Sequence, residues 1–453
     1  METLQIVVNY ILNDLGAAVF VPTLMLIIAL CMKMKFSEAF ISALTLGIAF
    51  SGMSLLIGYM MGSMGDAAAS MAKQTGISLP AVDGGWPGMA AISWAWPYAF
   101  LMFPLTIGIN VVMLILNKTK TLNVDMWNVW NKIFTAVMVS YISGNVLWGF
   151  IAAGIQIILE LKSGDIFAPE VERLTGIPGV TVPHFITLIA VILHPIDELL
   201  KKIPFFNKPM DADSLKEKIG IFGENSIMGA IIGFLLGLAG AYGIAGSLQL
   251  AVQAATAMTL FPMISKLFSQ ALSPISEAIS EFMRKRFSGK EVYIGLDWPI
   301  LAGRNELWVA VIITIPVLLV MAILLPGNKV LPFAGIINLS FVVGALLLTN
   351  ANLGRMIFHG IVSAPIFLYG ATYFAPFITR LANETGAVEV LSGKMISWST
   401  VEGPDFRYLL STAFSGNIFS VVLFVGWLAL FYYLVKKRNQ YNQSLKVSKK
   451  DEK

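Results

Sequence analysis

Stretches of about 20 residues with almost no charge recur along the whole chain, and a helix needs roughly that length to cross a hydrocarbon core about 30 Å thick. Such runs lie near 17–34, 38–62, 96–116, 133–161 and 181–200, then near 227–246, 247–268, 306–325, 332–350 and 353–379, with a last one near 408–435. Of the 453 residues, 57% are hydrophobic and 13% charged. A soluble domain carries about 25% charged residues, so much of this surface must face lipid. The pattern predicts an all-α integral membrane protein with about eleven transmembrane helices. The N-terminal stretch carries no basic n-region, so no cleavable signal is expected. The single cysteine, Cys31, sits in an apolar run and excludes a disulfide framework, a cysteine-rich metal site and a C-x-x-C redox pair.

Lysine and arginine accumulate on the cytoplasmic side of a membrane. With the N-terminus outside, Lys33, Lys35, Lys118 and Lys120 fall inside. So do Lys201, Lys202, Lys208, Lys216 and Lys218, then Arg284, Lys285, Arg286 and Lys290, and finally Lys436, Lys437 and Arg438. Few remain outside, among them Lys73, Lys162, Arg173, Lys329, Arg380, Lys394 and Arg407. The C-terminus is thus expected in the cytoplasm. Its basic tail, 436–453, reads as a topology signal and a solvated end, with no nucleic-acid partner expected.

Two odd sets of five runs suggest an inverted repeat, a common transporter device. Trp86-Pro87 matches Trp298-Pro299 and Pro104 matches Pro316, all at an offset of 212. Ala39 and Ala43 meet Ala251 and Ala255 at the same offset, and Asn145 pairs with Asn352 after a small deletion. The expected organisation is a first repeat over 1–203, a cytoplasmic linker over 204–226 and a second repeat over 227–379. An external loop over 380–407, a final helix over 408–435 and the tail follow. Proline removes a backbone donor and disfavours helix at the residue before it. The segments 80–95 and 292–304 are therefore expected as re-entrant hairpins pointing from opposite faces, the kind of broken backbone that lines substrate sites. Leu272, Ile275, Ile279, Phe282 and Met283 recur at helical spacing ahead of Arg284–Arg286, which predicts an interface-lying amphipathic helix.

Ionisable and amide groups inside apolar runs are costly and tend to face cavities. Asp83 and Asp297 sit in the two hairpins. Each can accept sugar hydroxyls or act as a general base, Asp297 being the first choice for a base; each can equally cap hairpin backbone. Trp86 and Trp298 can stack on a carbon chain or belong to an interfacial belt. His184 opens an apolar run after Pro183. Asn128 and Asn131 form a stripe with Asp125, which can also start a helix. Asn145 and Asn352 read as mid-span amides, for substrate or for helix–helix bonding. Arg304 and Asn305 close the second hairpin, where the guanidinium can meet a phosphate or an acidic partner. His194 and His359 are weaker candidates, and no metal-ligand spacing appears. The absence of a P-loop, a G-x-S-x-G and a Rossmann fingerprint leaves no expected cofactor and no nucleotide engine.

The segments VDGGWPG, NVDMWNVWNKIFTA, VPHF, IFGENSIMGAIIGFLLG, IGLDWP and LPGNKVLPF, in this order over nearly the whole chain, resemble the galactitol-type IIC component of the phosphoenolpyruvate-dependent sugar phosphotransferase system. That family is similar in turn to the ascorbate-type IIC component. The resemblance implies eleven segments in inverted repeats with two re-entrant hairpins, a substrate-carrying core and a second domain that forms a homodimer in the lipid. It implies that a polyol or sugar is bound outside, moved inward by an elevator-like shift and presented to a separate IIB subunit charged by IIA. By the same resemblance Asp297, the hairpin around Trp86 and His184 contact substrate. An ion-coupled secondary sugar transporter would also explain the repeat, and predicts uptake of unmodified sugar. A lipid-modifying enzyme would want an interfacial cluster of carboxylates or histidines that the sequence lacks.

Overall fold

Backbone freed by a helix break at membrane depth has no water to bond and must find partners within the protein. The computed structural model describes residues 17–75, 79–123, 125, 128–208, 210, 220, 224–286, 292–332, 341–385, 390 and 393–451, and in it the breaks pair with one another as strands. The chain runs α1 (Ala17–Cys31), α2 (Phe36–Thr75), β1 (Ala81–Asp83), α3 (Gly85–Trp94), α4 (Met102–Ile115), β2 (Thr121–Asn123), α5 (Val129–Ser143), α6 (Val146–Thr175), β3 (Val180–Thr181), α7 (Ala190–Leu200) and α8 (Pro204–Asn207). It continues with α9 (Asn225–Ala239), α10 (Gly243–Arg286), β4 (Tyr293–Gly295), α11 (Asn305–Leu324), β5 (Val330–Leu331), α12 (Phe341–Thr349), α13 (Leu353–Thr385), β6 (Met395–Ser397), α14 (Pro404–Phe414) and α15 (Ile418–Asp451).

The chain is mostly helical, as expected of an all-α membrane protein, with one addition. Two small parallel sheets sit among the helices, with strand orders β5-β1-β6 and β2-β4-β3. In the first, Ala81 pairs with Val330 and Met395; in the second, Ile294 pairs with Leu122 and Val180. The central strands, β1 and β4, lead into the two Trp-Pro segments and begin at Ala81 and Tyr293, the same offset of 212 found for the tryptophans. Each central strand therefore lies between two strands from the opposite half of the chain. Strands of two or three residues are too short to carry an alternating pattern, so periodicity does not reveal them.

Helices α6, α11 and α13, and α15 over 418–444, are long and apolar enough to cross a membrane. Segments 88–94 and 99–115 meet at 92° and count as one more if they form a single broken span. The chain is a multi-pass membrane protein. Several expected boundaries move. The run 133–161 is split between α5 and α6 by Gly144, at φ 72°, and Asn145. The run 408–435 is split likewise by Gly416, at φ 94°. Left-handed backbone of this kind ends a helix with little strain when the residue is glycine. The amphipathic segment after 268 is not a separate helix but the continuation of α10. Lys216 and Lys218, and the side chains of Arg284, Lys285 and Arg286, lie outside the described residues.

The stretch 380–407 is not an external loop. α13 occupies it to Thr385, and from β6 onward it enters the core, where Trp398 and Arg407 are fully buried. Arg173 was expected on the face opposite the C-terminal tail, yet its guanidinium donates to the Asn350 carbonyl at 3.2 Å. Asn350 also receives Arg438 and donates to Tyr441, at 2.9 Å each. The break at Gly144 is the cause: the crossing helix becomes 146–175, and its far end moves to the tail side.

Helices α9 and α10 pack closely. A Cβ on Gly233 would lie 2.5 Å from the Leu250 carbonyl oxygen, and one on Gly237 2.6 Å from the Ser247 Cα. The glycine stripe of α9 thus serves contact within the subunit, as small residues do in membrane helix pairs.

Candidate substrate site

The segments that follow β2, β3, β4 and β6 carry the polar side chains that meet in the core. His184 stands just after β3, and its extended backbone lets Nδ1 accept the Ile186 N–H at 3.1 Å. That bond assigns the ring proton to Nε2. Nε2 faces Asp297 Oδ1 at 3.5 Å, slightly beyond a direct hydrogen bond, while Nδ1 lies 3.8 Å from Glu402 Oε2. The imidazole is therefore flanked by two carboxylates from two different breaks. Asp297 caps the 3-10 turn Trp298–Leu301, accepting the Trp298 N–H at 2.7 Å. Asp125 and Asn128 lie beside it, and the Asn128 amide donates to Asp125.

Beneath this layer a buried ionic network fixes the amides. Lys132 Nζ lies 2.6 Å from Glu160 Oε2, with both side chains 1% exposed. Gln156 donates to Glu160 at 2.7 Å and to Asn131 Oδ1 at 3.1 Å. Arg407 donates to the same Asn131 oxygen, to Thr135 Oγ1 at 2.9 Å and to the Glu402 carbonyl. Its guanidinium also covers the rings of Phe134 and Phe185. With donors on Oδ1, the Asn131 Nδ2 points at the Glu402 carboxylate, to which it donates. Gly403 allows the approach of these segments: a Cβ there would lie 2.2 Å from Phe185 Cε1. A column of rings adjoins the amides, with Trp86 6.4 Å from Trp130 and Trp130 5.6 Å from Trp398.

Among the expected site residues, Asn128, Asn131, His184 and Asp297 come together, with Trp86 in the adjoining column. Asp83 is 1% exposed and is occupied elsewhere: Oδ1 accepts the backbone N–H groups of Gly85 (3.1 Å) and Ser399 (3.0 Å), and Oδ2 accepts the Ser399 hydroxyl. Asn145 and Asn352 are not mid-span amides. They cap α6 and α13, accepting from Leu147 at 2.9 Å and Arg355 at 3.0 Å. Asn145 is 15 positions before Glu160 on one helix, about 22 Å along the axis. Arg304 is turned onto Glu306, 2.5 Å away, and Asn305 begins α11 on the exposed side. His359 belongs to a second buried cluster, 3.3 Å from Asp197, which also binds Arg355 at 2.8 Å and Lys201 at 3.0 Å. His194 packs on the Tyr433 ring.

The residues that sequence reading did not select are Lys132, Gln156, Glu160, Glu402 and Arg407. The first three carried a signal, since a glutamate and a glutamine inside one apolar run, with a lysine at its start, need polar partners. Glu402 and Arg407 gave none, because they lie in a stretch that reads as loop.

The model of the phosphotransferase-system sugar-specific permease component matches residues 10–391. The chain belongs to this family. It is 33% identical over 437 residues to the galactitol-specific EIIC component of the phosphotransferase system of Escherichia coli (strain K12), covering 93% of this chain and 96% of that one. It is also 32% identical over 433 residues to a putative permease IIC component of the same organism, covering 95% and 99% of the two chains. As a sugar-specific permease component it is the membrane-spanning, sugar- or polyol-translocating part of a group-translocation system, which takes its phosphoryl group from partner IIB and IIA components.

Proposed function

We propose that this permease component binds galactitol, or a closely related polyol or sugar, between the two hairpins at Asn128, Asn131, His184 and Asp297. The observation that carries the reading is the convergence of His184 and Asp297 from separate chain breaks onto one buried polar layer. A polyhydroxylated ligand needs such alternating donors and acceptors, with an apolar or aromatic wall for its C–H face. The choice of galactitol rests on the relative that shares a third of its residues.

Two inverted repeats carry the site in this proposal. Their support is the reciprocal sheet pairing, in which β1 and β4 each lie between strands of the other half. The N-terminus is outside and the C-terminus cytoplasmic, so the end that bears Lys201, Lys202, Lys436 and Lys437 faces the cytoplasm. Charge complementarity there steers the IIB subunit. The substrate-carrying core shifts between the two faces against the α1, α2, α9 and α10 layer, which forms the homodimer.

Vesicles loaded with phosphorylated IIB and given labelled galactitol test the reading. Accumulation of phosphorylated product is expected, with none when IIB is unphosphorylated. Uptake of unmodified galactitol driven by an ion gradient overturns it.

A further inference from the structure

Among the carboxylates at or after the strand ends, Asp83, Asp297 and Glu402 differ in how many donors they already have. Asp83 receives three hydrogen bonds, from Gly85, Ser399 N–H and the Ser399 hydroxyl. Asp297 receives the Trp298 N–H, with Asn128 beside it. Glu402, 3% exposed, receives Asn131 alone among the described residues. Arg407 does not change this, because its hydrogen bonds go to the Glu402 carbonyl, Asn131 and Thr135 and none reaches the Glu402 carboxylate. Lys132 is likewise committed to Glu160.

An ionised carboxylate offers about four acceptor positions, and burying one with a single donor is costly. Asp83 meets that cost from within the protein. Glu402 does not, and it lies 3.8 Å from His184 on the imidazole nitrogen opposite the one facing Asp297.

We infer that Glu402 is a second carboxylate ligand for the substrate, accepting hydroxyl hydrogen bonds from a polyol that spans His184 between Asp297 and Glu402. The inference rests on the binding site proposed above. It makes the ligand an extended chain of adjacent hydroxyls, with one part recognised by each carboxylate. Arg407 is a positioning residue in this arrangement, holding the Glu402 backbone, while Asn131, itself part of the binding site, takes one carboxylate oxygen of Glu402 and leaves the other for the ligand. The Asp83–Ser399 bonds fix the same segment three residues upstream.

The test is equilibrium binding of labelled galactitol to the purified full-length protein in detergent, with Glu402→Gln and Asp297→Asn measured side by side. Glutamine still accepts from Asn131, so Glu402→Gln keeps the internal bond and loses the charge. Affinity is expected to fall at least tenfold with the thermal unfolding midpoint retained. Monodeoxy galactitols supply a readout that a structural role would not move. At least one should bind the parent protein tenfold more weakly than galactitol and bind Glu402→Gln no more weakly than galactitol does. If Glu402→Gln fails to fold, Glu402→Asp, which withdraws the carboxylate by one methylene, is read with the same analogues. Unchanged affinity, or losses that simply add for every analogue, overturns the role of Glu402. If Asp297→Asn also binds normally, it is the site itself that is misassigned.

Discussion

The two Trp-Pro segments share a backbone plan and differ in what their aspartates do. β1 and β4 are both central strands of three-stranded parallel sheets, and both feed a tryptophan followed by proline. Asp83 is the last residue of its strand, so its carboxylate turns back onto Gly85 and across onto Ser399. Asp297 stands two residues beyond its strand, directly before the tryptophan, and spends one oxygen on the Trp298 N–H. A displacement of two residues within the same scaffold thus separates a carboxylate that closes the structure from one that stays open toward His184. Symmetry of fold does not imply symmetry of role; the count of donors decides it.

The largest test of this contrast lies under the second segment, where charge is held by charge. Lys132→Met should destabilise the protein by about 3–5 kcal/mol, because Glu160 is left buried and unpaired. Lys132→Met with Glu160→Gln should recover most of the loss, since a neutral amide no longer needs the ammonium. Thermal unfolding in a fixed detergent reads both. A small effect of the single variant would mean that water reaches Glu160 and that the layer is less dry than its 1% exposure suggests.

Next in size is the exchange of aspartate for asparagine in each segment. Asp83→Asn leaves a buried N–H facing donors and should cost about 1–3 kcal/mol of stability, with galactitol affinity of the folded protein unchanged. Asp297→Asn should do the reverse, weakening binding by about 1.5–3 kcal/mol, the worth of a charge-assisted hydrogen bond, with stability nearly intact. Two variants that lose affinity alike would erase the distinction between the two aspartates.

The paired segments were legible in the sequence because Trp-Pro is a strong local signal and its recurrence at 212 residues survives in the strands. Asn128, Asn131 and His184 were legible because polar residues next to apolar runs are conspicuous. Asn145 and Asn352 misled for the opposite reason: a helix break as short as Gly144-Asn145 leaves hydropathy uninterrupted, so a capping amide looks like a buried one. The sheets were hidden by strand length. Glu402 and Arg407 were hidden by composition, since VEGPDFR reads as a solvated turn until β6 carries it beside β1.

A smaller effect separates the two central strands themselves. A Cβ on Gly295 in β4 would lie 2.6 Å from Pro183 Cγ and 2.9 Å from the Asn123 Cα, a ring and a backbone that cannot yield. A Cβ on Gly84, just past β1, would lie 2.9 Å from Ile396 Cδ1, the free end of a side chain. Gly295→Ala should therefore cost about 1–3 kcal/mol by overpacking and weaken substrate binding by moving Asp297. Gly84→Ala should cost less than about 1 kcal/mol, because an isoleucine end can turn aside. Equal losses would show that the first sheet is as tightly fixed as the second.

The smallest effect is expected at the far end of the second segment. Arg304 follows Asp297 by seven residues and closes the turn before α11, which makes it the natural candidate for a phosphate or for an acidic partner. Its guanidinium instead grips Glu306, 2.5 Å away, with 37% of the arginine side chain exposed. An ion pair of that exposure contributes about 0–1 kcal/mol, so Arg304→Gln should shift the unfolding midpoint by little and leave galactitol affinity unchanged. The informative measurement is phosphorylation by phosphorylated IIB at low and at high salt. A rate that matches the parent protein at both ionic strengths keeps Arg304 as a local tie to Glu306. A rate that falls at low salt and converges at high salt would show that the arginine leaves Glu306 during encounter, because a screened, long-range attraction is the only contribution that salt removes in this way.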